Sequence, residues 1–221
     1  KLNNETLALL KNFATINPNL NVKGGSSIAT ISEEKNIFAE ATLSESFTQP
    51  FGVYDLSELL NLINLIGDPD LDFKAKHLEL KSQGTTAKFR YADPSILTVP
   101  PETINVPDMD VKLKITDEIL TKIRKSAGIL SHSVVALVSD GSNLSLKIFD
   151  PSNDSANTVS IEVEGEFEVG TTFSLEFLIP NIKVLQGDYD VGISQSKIST
   201  WTHDSVPLKY YIALEKTSTY N

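Results

Sequence analysis

The sequence predicts an α+β protein in two halves, each with antiparallel sheet and with helices laid against one face of it. Three observations carry this. Three segments repeat their apolar residues every three to four positions, as amphipathic helices do. Nearly all the remaining segments alternate with period two, as half-buried strands do. Between them, residues 92–110 hold Pro94, Pro100, Pro101 and Pro107 without any sustained period, which reads as an extended connector. The order of elements recurs on either side of that stretch, although no residue-level repeat is visible, so helices on one face of antiparallel sheet is the plain reading for both halves. The boundaries read as a first domain over 1–92, a connector over 93–110 and a second domain over 111–221.

In the first half, the spacing predicts a helix over 3–16 with Leu7, Leu9, Leu10, Phe13, Ala14 and Ile16 on one side and Asn4, Ala8, Lys11 and Thr15 on the other. A second helix over 55–66 opens with Asp55 and Glu58 in capping-box spacing and is stopped by Gly67-Asp68-Pro69. Its apolar side is Leu56, Leu59, Leu60, Leu62, Ile63 and Ile66; Ser57, Asn61 and Asn64 line the other. Strands are predicted over 28–32, 37–43, 47–53, 78–82 and 86–91. In the second half, a helix over 116–128 starts at Thr116 as a cap, with Asp117 and Glu118 suited to the positive end of the helix dipole and Gly128 as its stop. Ile119, Leu120, Ile123 and Ala127 face inward. Strands over 134–139 and 144–149 flank an Asp140-Gly141 turn, a hairpin signal. Further strands follow over 158–163, 172–177, 189–193, 198–203 and 209–215, with a short turn of helix over 180–185 opening on Pro180.

Composition narrows the function. The 221 residues are 40% hydrophobic, which supports a packed core, and contain no cysteine, which removes disulfides, thiolate metal sites and a cysteine nucleophile together. The missing cysteines fit a reducing compartment. No run approaches the length of a membrane span and the first residues lack a signal-peptide layout, so a soluble intracellular protein is expected. The formal charge is −10 and the pI about 4.8, against nucleic-acid binding through a broadly basic surface but not against a local basic strip.

Catalytic chemistry has little to stand on. His77, His132 and His203 lie far apart without acidic or histidine neighbours in ligand spacing. Asp68, Asp70 and Asp72 resemble the start of a calcium loop, and Glu79 suits its last ligand position, but Phe73 stands where the loop needs glycine; a solvated turn is the reading taken. Gly24-Gly25-Ser26-Ser27 lacks the lysine of a phosphate loop and reads as a hairpin turn. There is no nucleophile elbow. Glu162, Glu164, Glu166 and Glu168 alternate as a solvated strand face does. No catalytic residue, cofactor or metal ligand is assigned, and an enzyme is not expected.

The helices offer more. Lys122 and Lys125 lie on the polar side of the 116–128 helix with Arg124 on its flank, three bases within four positions of an acidic chain. Lys11 sits in the polar stripe of the first helix between small neutral residues. Asn61 and Asn64 keep the second helix polar but uncharged, and Lys183 falls in the short turn over 180–185. Helical outer faces are thus neutral or basic while strand faces are acidic.

The segment Leu9-Leu10-Lys11-Asn12-Phe13-Ala14-Thr15-Ile16-Asn17 resembles the first helix of the DNA polymerase sliding clamp of T4-type bacteriophages. So do Tyr54-Asp55-Leu56, Ala92-Asp93-Pro94-Ser95 and the terminal Tyr211-Ile212-Ala213-Leu214-Glu215, in the same order along the whole chain. The resemblance implies a homotrimeric ring with two similar clamp domains per subunit, antiparallel sheets outside and helices lining the hole. It implies a processivity factor that encircles double-stranded DNA without regard to sequence and tethers the phage DNA polymerase, with no catalysis of its own. It also implies a clamp-loader ATPase that places it, a part in late transcription, and action in the cytoplasm of the infected bacterial host. The physics agrees: a ring holds DNA topologically, so a few lysines suffice and an acidic outside disfavours binding elsewhere. Composition alone would also suit a β-rich viral structural or attachment protein with no DNA role; the basic helical stripes speak against it.

Three sets of residues follow. The DNA-facing set is Lys11, Asn61, Asn64, Lys122, Arg124, Lys125 and Lys183, each opposite or beside an apolar helix face. The resemblance also implies an apolar pocket near the connector that takes a polymerase peptide, with Ile96, Leu97, Val99, Tyr211 and Ile212 as candidates. A head-to-tail ring needs two unlike edge strands. Lys88, Phe89 and Arg90 on one, and Val159, Ile161, Glu162, Val163 and Glu164 on the other, would pair unlike charges on one face and apolar residues on the opposite one.

Overall fold

The computed structural model describes all 221 residues, Lys1–Asn221. They form two compact units, Lys1–Glu102 and Thr103–Asn221.

The first unit begins with α1 (Asn4–Ile16), β1 (Leu20–Val22), β2 (Gly25–Ile31), β3 (Ile37–Phe47) and β4 (Phe51–Val53). It continues with α2 (Leu56–Ile66), β5 (Asp70–Phe73), β6 (His77–Ser82) and β7 (Thr85–Arg90). Asn3 caps α1 by accepting from the Thr6 N–H at 2.7 Å. Glu45 on β3 completes that end: its carboxylate accepts from the Asn3 N–H at 2.5 Å and from the Thr6 hydroxyl at 2.6 Å. Burial pushes the Glu45 carboxyl up, but these hydrogen bonds outweigh it and hold the group below its ordinary value. α1 buries Leu9, Leu10, Phe13 and Ile16, and α2 buries Leu56, Leu59, Leu60 and Ile63. Asp55 caps α2 at the Glu58 N–H, 3.0 Å away.

The strands pair antiparallel as β1 with β4, β2 with β3, and β5-β6-β7 in that order. β3 runs on to Phe47, past the expected end at residue 43, because Phe47 stays in the ladder opposite Gly25 before the chain turns, and the strand expected over 47–53 is reduced to β4. Its ring meets Phe51 and Phe73 edge-on at 5.3 and 5.9 Å. The expected solvated turn around Asp70 and Asp72 is corrected to a strand, β5, paired with β6. Both aspartates point outward from it, and Asp72 sits 2.7 Å from Lys74 and 3.2 Å from Lys81.

The second unit contains β8 (Val111–Ile115), α3 (Asp117–Leu130), β9 (Val134–Asp140), β10 (Leu144–Phe149), β11 (Val159–Val163) and β12 (Gly165–Glu166). Then come β13 (Thr172–Leu178), β14 (Tyr189–Ser194), β15 (Ile198–His203), β16 (Leu208–Ala213) and β17 (Thr219–Tyr220). One antiparallel sheet runs β11-β10-β9-β13-β17; the other runs β12-β8-β14-β15-β16. The hairpin between β9 and β10 turns on Gly141 at φ 96°, while the Asp140 carboxylate accepts from the Ser142 and Asn143 N–H groups. Tyr189, Tyr210, Trp201 and Phe177 fill the core, with His203 edge-on to Tyr189 at 5.0 Å.

Two helix ends differ from expectation. α3 passes through Gly128, whose missing side chain leaves open space, and stops where Ser131 turns left-handed at φ 55°. The predicted helical turn over 180–185 is only a 3₁₀ turn at Ile179–Asn181, so Lys183 lies beyond it on irregular chain. Tertiary bonds replace helical ones there: the Tyr189 hydroxyl donates to the Leu185 carbonyl at 2.6 Å, and the Leu185 N–H donates to the Tyr210 hydroxyl at 3.0 Å.

Candidate nucleic-acid interface and partner surfaces

In the first unit, the polar sides of α1 and α2 enclose a shallow cavity of about 370 Å³ lined by Lys11, Ala14, Thr15, Ser57, Leu60, Asn61 and Asn64. Lys11, Asn61 and Asn64 are all exposed. The cleft carries one positive charge, two amides and two hydroxyls and no carboxylate, so it can meet an anion by hydrogen bonds without strong attraction.

In the second unit, α3 presents Lys122 and Lys125 to solvent, opposite the buried Leu120, Ile123 and Ala127. Lys122 is not free: its ammonium lies 2.7 Å from the Glu118 carboxylate one turn earlier. That ammonium holds the Glu118 carboxyl below its ordinary range. Arg124, on the flank, donates to the Val184 carbonyl at 3.4 Å and so ties α3 to the 179–185 segment. Lys183, half-buried, stands on that segment. The Glu118–Lys122 pair and two exposed aliphatic residues were missed by the sequence reading. Leu65, 80% exposed, lies one turn beyond Asn61 on α2, and Ile129, 83% exposed, one turn beyond Lys125 on α3. Glutamate four residues before lysine was the readable signal for the first; aliphatic residues in register with polar stripes were the signal for the others.

The proposed pocket residues divide. Ile96 is 60% exposed and Val99 is exposed with it, at and after a 3₁₀ turn at Pro94–Ile96 capped by Asp93. Leu97 and Ile212 are buried, so each serves the core of its own unit rather than an open groove. Leu97 fills the space over Gly52, where an added Cβ would lie 2.7 Å from its Cδ1. Tyr211 is half-buried on β16, its ring 4.9 Å from the Lys209 ammonium. Tyr54, exposed and unforeseen, joins the first pair: Asn19 donates to the Tyr54 carbonyl at 2.7 Å and accepts from the Thr98 N–H at 3.3 Å.

Both strands proposed for ring closure lie at sheet edges, β7 beside β6 and β11 beside β10. Lys88 and Arg90 are exposed, as are Glu162 and Glu164. Val159, Ile161 and Val163 are half-buried opposite Ile148, Leu146 and Leu144. Phe89 is the exception: it is only 6% exposed, packed opposite Leu78 in its own sheet, and has little surface left for a partner. Of the three histidines, His203 is buried in a backbone cage, with Nδ1 accepting from the Ser205 and Val206 N–H groups. His77 lies 3.3 Å from Glu79, and His132 bonds the Asn157 carbonyl.

Residues 3–96 match the family model described as DNA polymerase processivity factor. Over 97% of its length the chain is 32% identical to the sliding clamp of Vibrio phage KVP40, covering 99% of that protein. The chain belongs to the sliding clamps of T4-type bacteriophages. The clamp of Enterobacteria phage T4 is 28% identical over the whole of this chain and 99% of its own. Among solved structures, the fold matches a complex of the C-terminal region of FEN-1 with A. fulgidus PCNA at TM-score 0.72 and 12% identity, over 96% of each chain. The PCNA2–PCNA3 complex of Sulfolobus tokodaii matches at 0.69 and 12% identity, over 95% of each. At such identity these likenesses show the clamp fold alone. As a sliding clamp the protein is a processivity factor for DNA polymerase in phage replication, and the alternative of a structural or attachment protein falls.

Proposed function

We propose that three copies close head to tail into a ring, with α1, α2, α3 and the 179–185 segment of each facing duplex DNA in the hole. The observation that carries this is the exposed Lys122–Lys125 stripe, set opposite the buried face of α3 in a chain of net charge −10. Lys11 adds a cation from the amide-lined cleft of the first unit. Contacts of this kind meet phosphates without reading bases, which suits a protein that must slide. β7 and β11 close the ring, Lys88 and Arg90 meeting Glu162 and Glu164 while the half-buried Val159, Ile161 and Val163 supply the apolar side. Residues 93–110 act as the connector between domains 1–92 and 111–221.

The polymerase is tethered by a short apolar peptide held near the start of the connector. Tyr54, Ile96 and Val99 are the exposed residues that suit it, with Tyr211 as a further candidate. The clamp of A. fulgidus, captured with the C-terminal region of another protein, makes peptide capture a reasonable mode here. A clamp-loader ATPase opens and places the ring, the protein acts in the cytoplasm of the infected bacterium and also serves late transcription, and it performs no catalysis itself.

Replacing Lys122 and Lys125 together with glutamate tests the central claim. Processive synthesis should fall while sedimentation still reports a particle of three times the 24.2 kDa chain mass. Parent-like processivity in that variant would show that α3 does not face the DNA.

A further inference from the structure

On a helix advancing about 100° per residue, Lys122 lies about 40° to one side of Glu118 and Lys125 about 20° to the other. The buried Leu120, Ile123 and Ala127 lie about 140–200° away from it. A surface that presents the two lysines to DNA therefore presents Glu118 with them, at its centre. Nothing in the fold claims this carboxylate. Its neighbour Asp117 does the local structural work, accepting from the Gln186 amide at 3.0 Å and the Gly187 N–H at 3.3 Å. Glu118 instead points along the stripe and takes the Lys122 ammonium at 2.7 Å, both side chains being more than half exposed.

We propose that Glu118 is a damping residue of the DNA-facing surface: it occupies Lys122 and repels phosphate, and so holds down the clamp's electrostatic grip on duplex DNA. This rests on the reading that α3 faces DNA. A phosphate that would be neutralised by Lys122 must first displace an anion already in contact with it. A topologically linked ring does not need that phosphate, since each neutralised one adds affinity and salt dependence without adding linkage. Glu118 thus makes Lys122 a weak contact and leaves Lys125 the stronger one. The charge stays available if the carboxylate swings aside, so Lys122 is masked rather than lost.

The test is the binding of purified protein to an end-labelled linear duplex, titrated from about 25 to 200 mM salt. Glu118→Gln should bind more tightly than the parent, with a salt slope steeper by about 0.9 for each subunit whose Lys122 then neutralises a phosphate. The advantage over the parent should shrink about 3.5-fold per such subunit for each fourfold rise in salt. In a Lys122→Gln background the same change should give a clearly smaller gain, which a mere loss of helix stability would not produce. Lys125→Gln, measured alongside, should bind more weakly than the parent. If Glu118→Gln matches the parent in affinity and slope while Lys125→Gln weakens binding, the damping role is overturned and the DNA-facing reading stands. If the gain is equal in both backgrounds, the action through Lys122 is overturned. If Lys125→Gln changes nothing, α3 does not face DNA and the proposal falls with that reading.

Discussion

The segment that carries Lys183 has no helix to hold it, and two tyrosine hydroxyls do the holding. Tyr189 and Tyr210 are fully buried; one donates to the Leu185 carbonyl and the other accepts from the Leu185 N–H, at 2.6 and 3.0 Å. Burial pushes both hydroxyls above their ordinary value of 10.0, so both remain neutral donors and acceptors through the physiological range. Tyr210→Phe leaves the half-buried Leu185 N–H without this acceptor, at a cost of about 2 kcal/mol. Tyr189→Phe leaves the carbonyl short and costs somewhat less, since an under-satisfied carbonyl is better tolerated than an orphaned N–H. The two act on one residue, so the double variant should fall short of the sum. For a chain of this size about 2 kcal/mol lowers the melting midpoint by roughly 4–8 °C. Scanning calorimetry measures that loss, and amide exchange at Leu185 should speed up more than exchange along β9 and β13, which the change does not touch. A double Phe variant with the parent's midpoint and the parent's Leu185 exchange would refute the assignment, and with it the view that these hydroxyls position Lys183.

Three further outcomes are expected. Lys74 and then Lys81 hold the Asp72 carboxyl below its ordinary 3.8, and Lys81 holds that of Glu79 below 4.5; depressed carboxyls stabilise the fold above those values and lose the contribution as pH falls through the folded ones. The stability lost in Lys81→Met should therefore be constant near neutral pH, shrink below about pH 4 and vanish near pH 2 in urea unfolding; a difference unchanged at pH 2 would assign it to packing of the lysine stem. Gly187→Ala should destabilise by about 1–3 kcal/mol, because the new Cβ would lie 2.3 Å from His203 Nε2 at a φ of 144°; a parent-like chemical denaturation midpoint would contradict that geometry. Lys88→Glu with Arg90→Glu should shift sedimentation toward the monomer, and adding Glu162→Lys with Glu164→Lys should restore the larger species; a first variant that stays fully assembled at nanomolar concentration removes these edges from ring closure.

The long elements were legible because their patterns repeat often enough to leave no choice. α1, α2 and α3 each show at least three turns of one apolar stripe and a side-chain cap, and the structure starts each within one residue of the predicted start. β1, β12 and β17 were missed because two or three residues give too few alternations to separate strand from coil, whereas β8 was missed although Val111, Leu113 and Ile115 alternate with Lys112 and Lys114 as a half-buried strand does. β5 was read as a turn because its outward residues are Asp70 and Asp72; only pairing with β6, which brings Lys81 into reach, makes that a tolerable strand face. For the surfaces, sequence located the polar helix faces but could not say which apolar residues remain uncovered. Phe89, Leu97 and Ile212 look like contact residues by composition, yet each is taken up by its own core. Whether an edge phenylalanine turns inward depends on what its neighbouring strand offers, here Leu78, and that is a fact of register.

The distribution of ion pairs bears on the proposal that so acidic a chain meets a polyanion through its helix faces. Several lysines away from the helix faces have carboxylates within reach: Lys1 with Asp68, Lys74 with Asp72, Lys81 with Glu79 and Lys114 with Asp204, each at 2.7 Å. Lys11 and Lys125, on the polar sides of α1 and α3, have none within 4 Å, and Lys122 is paired only with Glu118 on the same stripe. Exposed pairs of the first kind add little stability, but they remove those lysines as competing sites for phosphate. Other exposed cations, among them Lys35, Lys76, Lys88 and Lys112, also lack such a pair; what sets the helix faces apart is that Lys11 stands among amides and hydroxyls and Lys125 near Lys122 and Arg124, and the potential a phosphate meets depends on such local surroundings more than on the net charge of −10. The same arithmetic makes Glu118 the sensitive position. It lies on the same stripe as Lys122 and Lys125 and 2.7 Å from the Lys122 ammonium, so removing its charge acts directly on the potential at those two lysines.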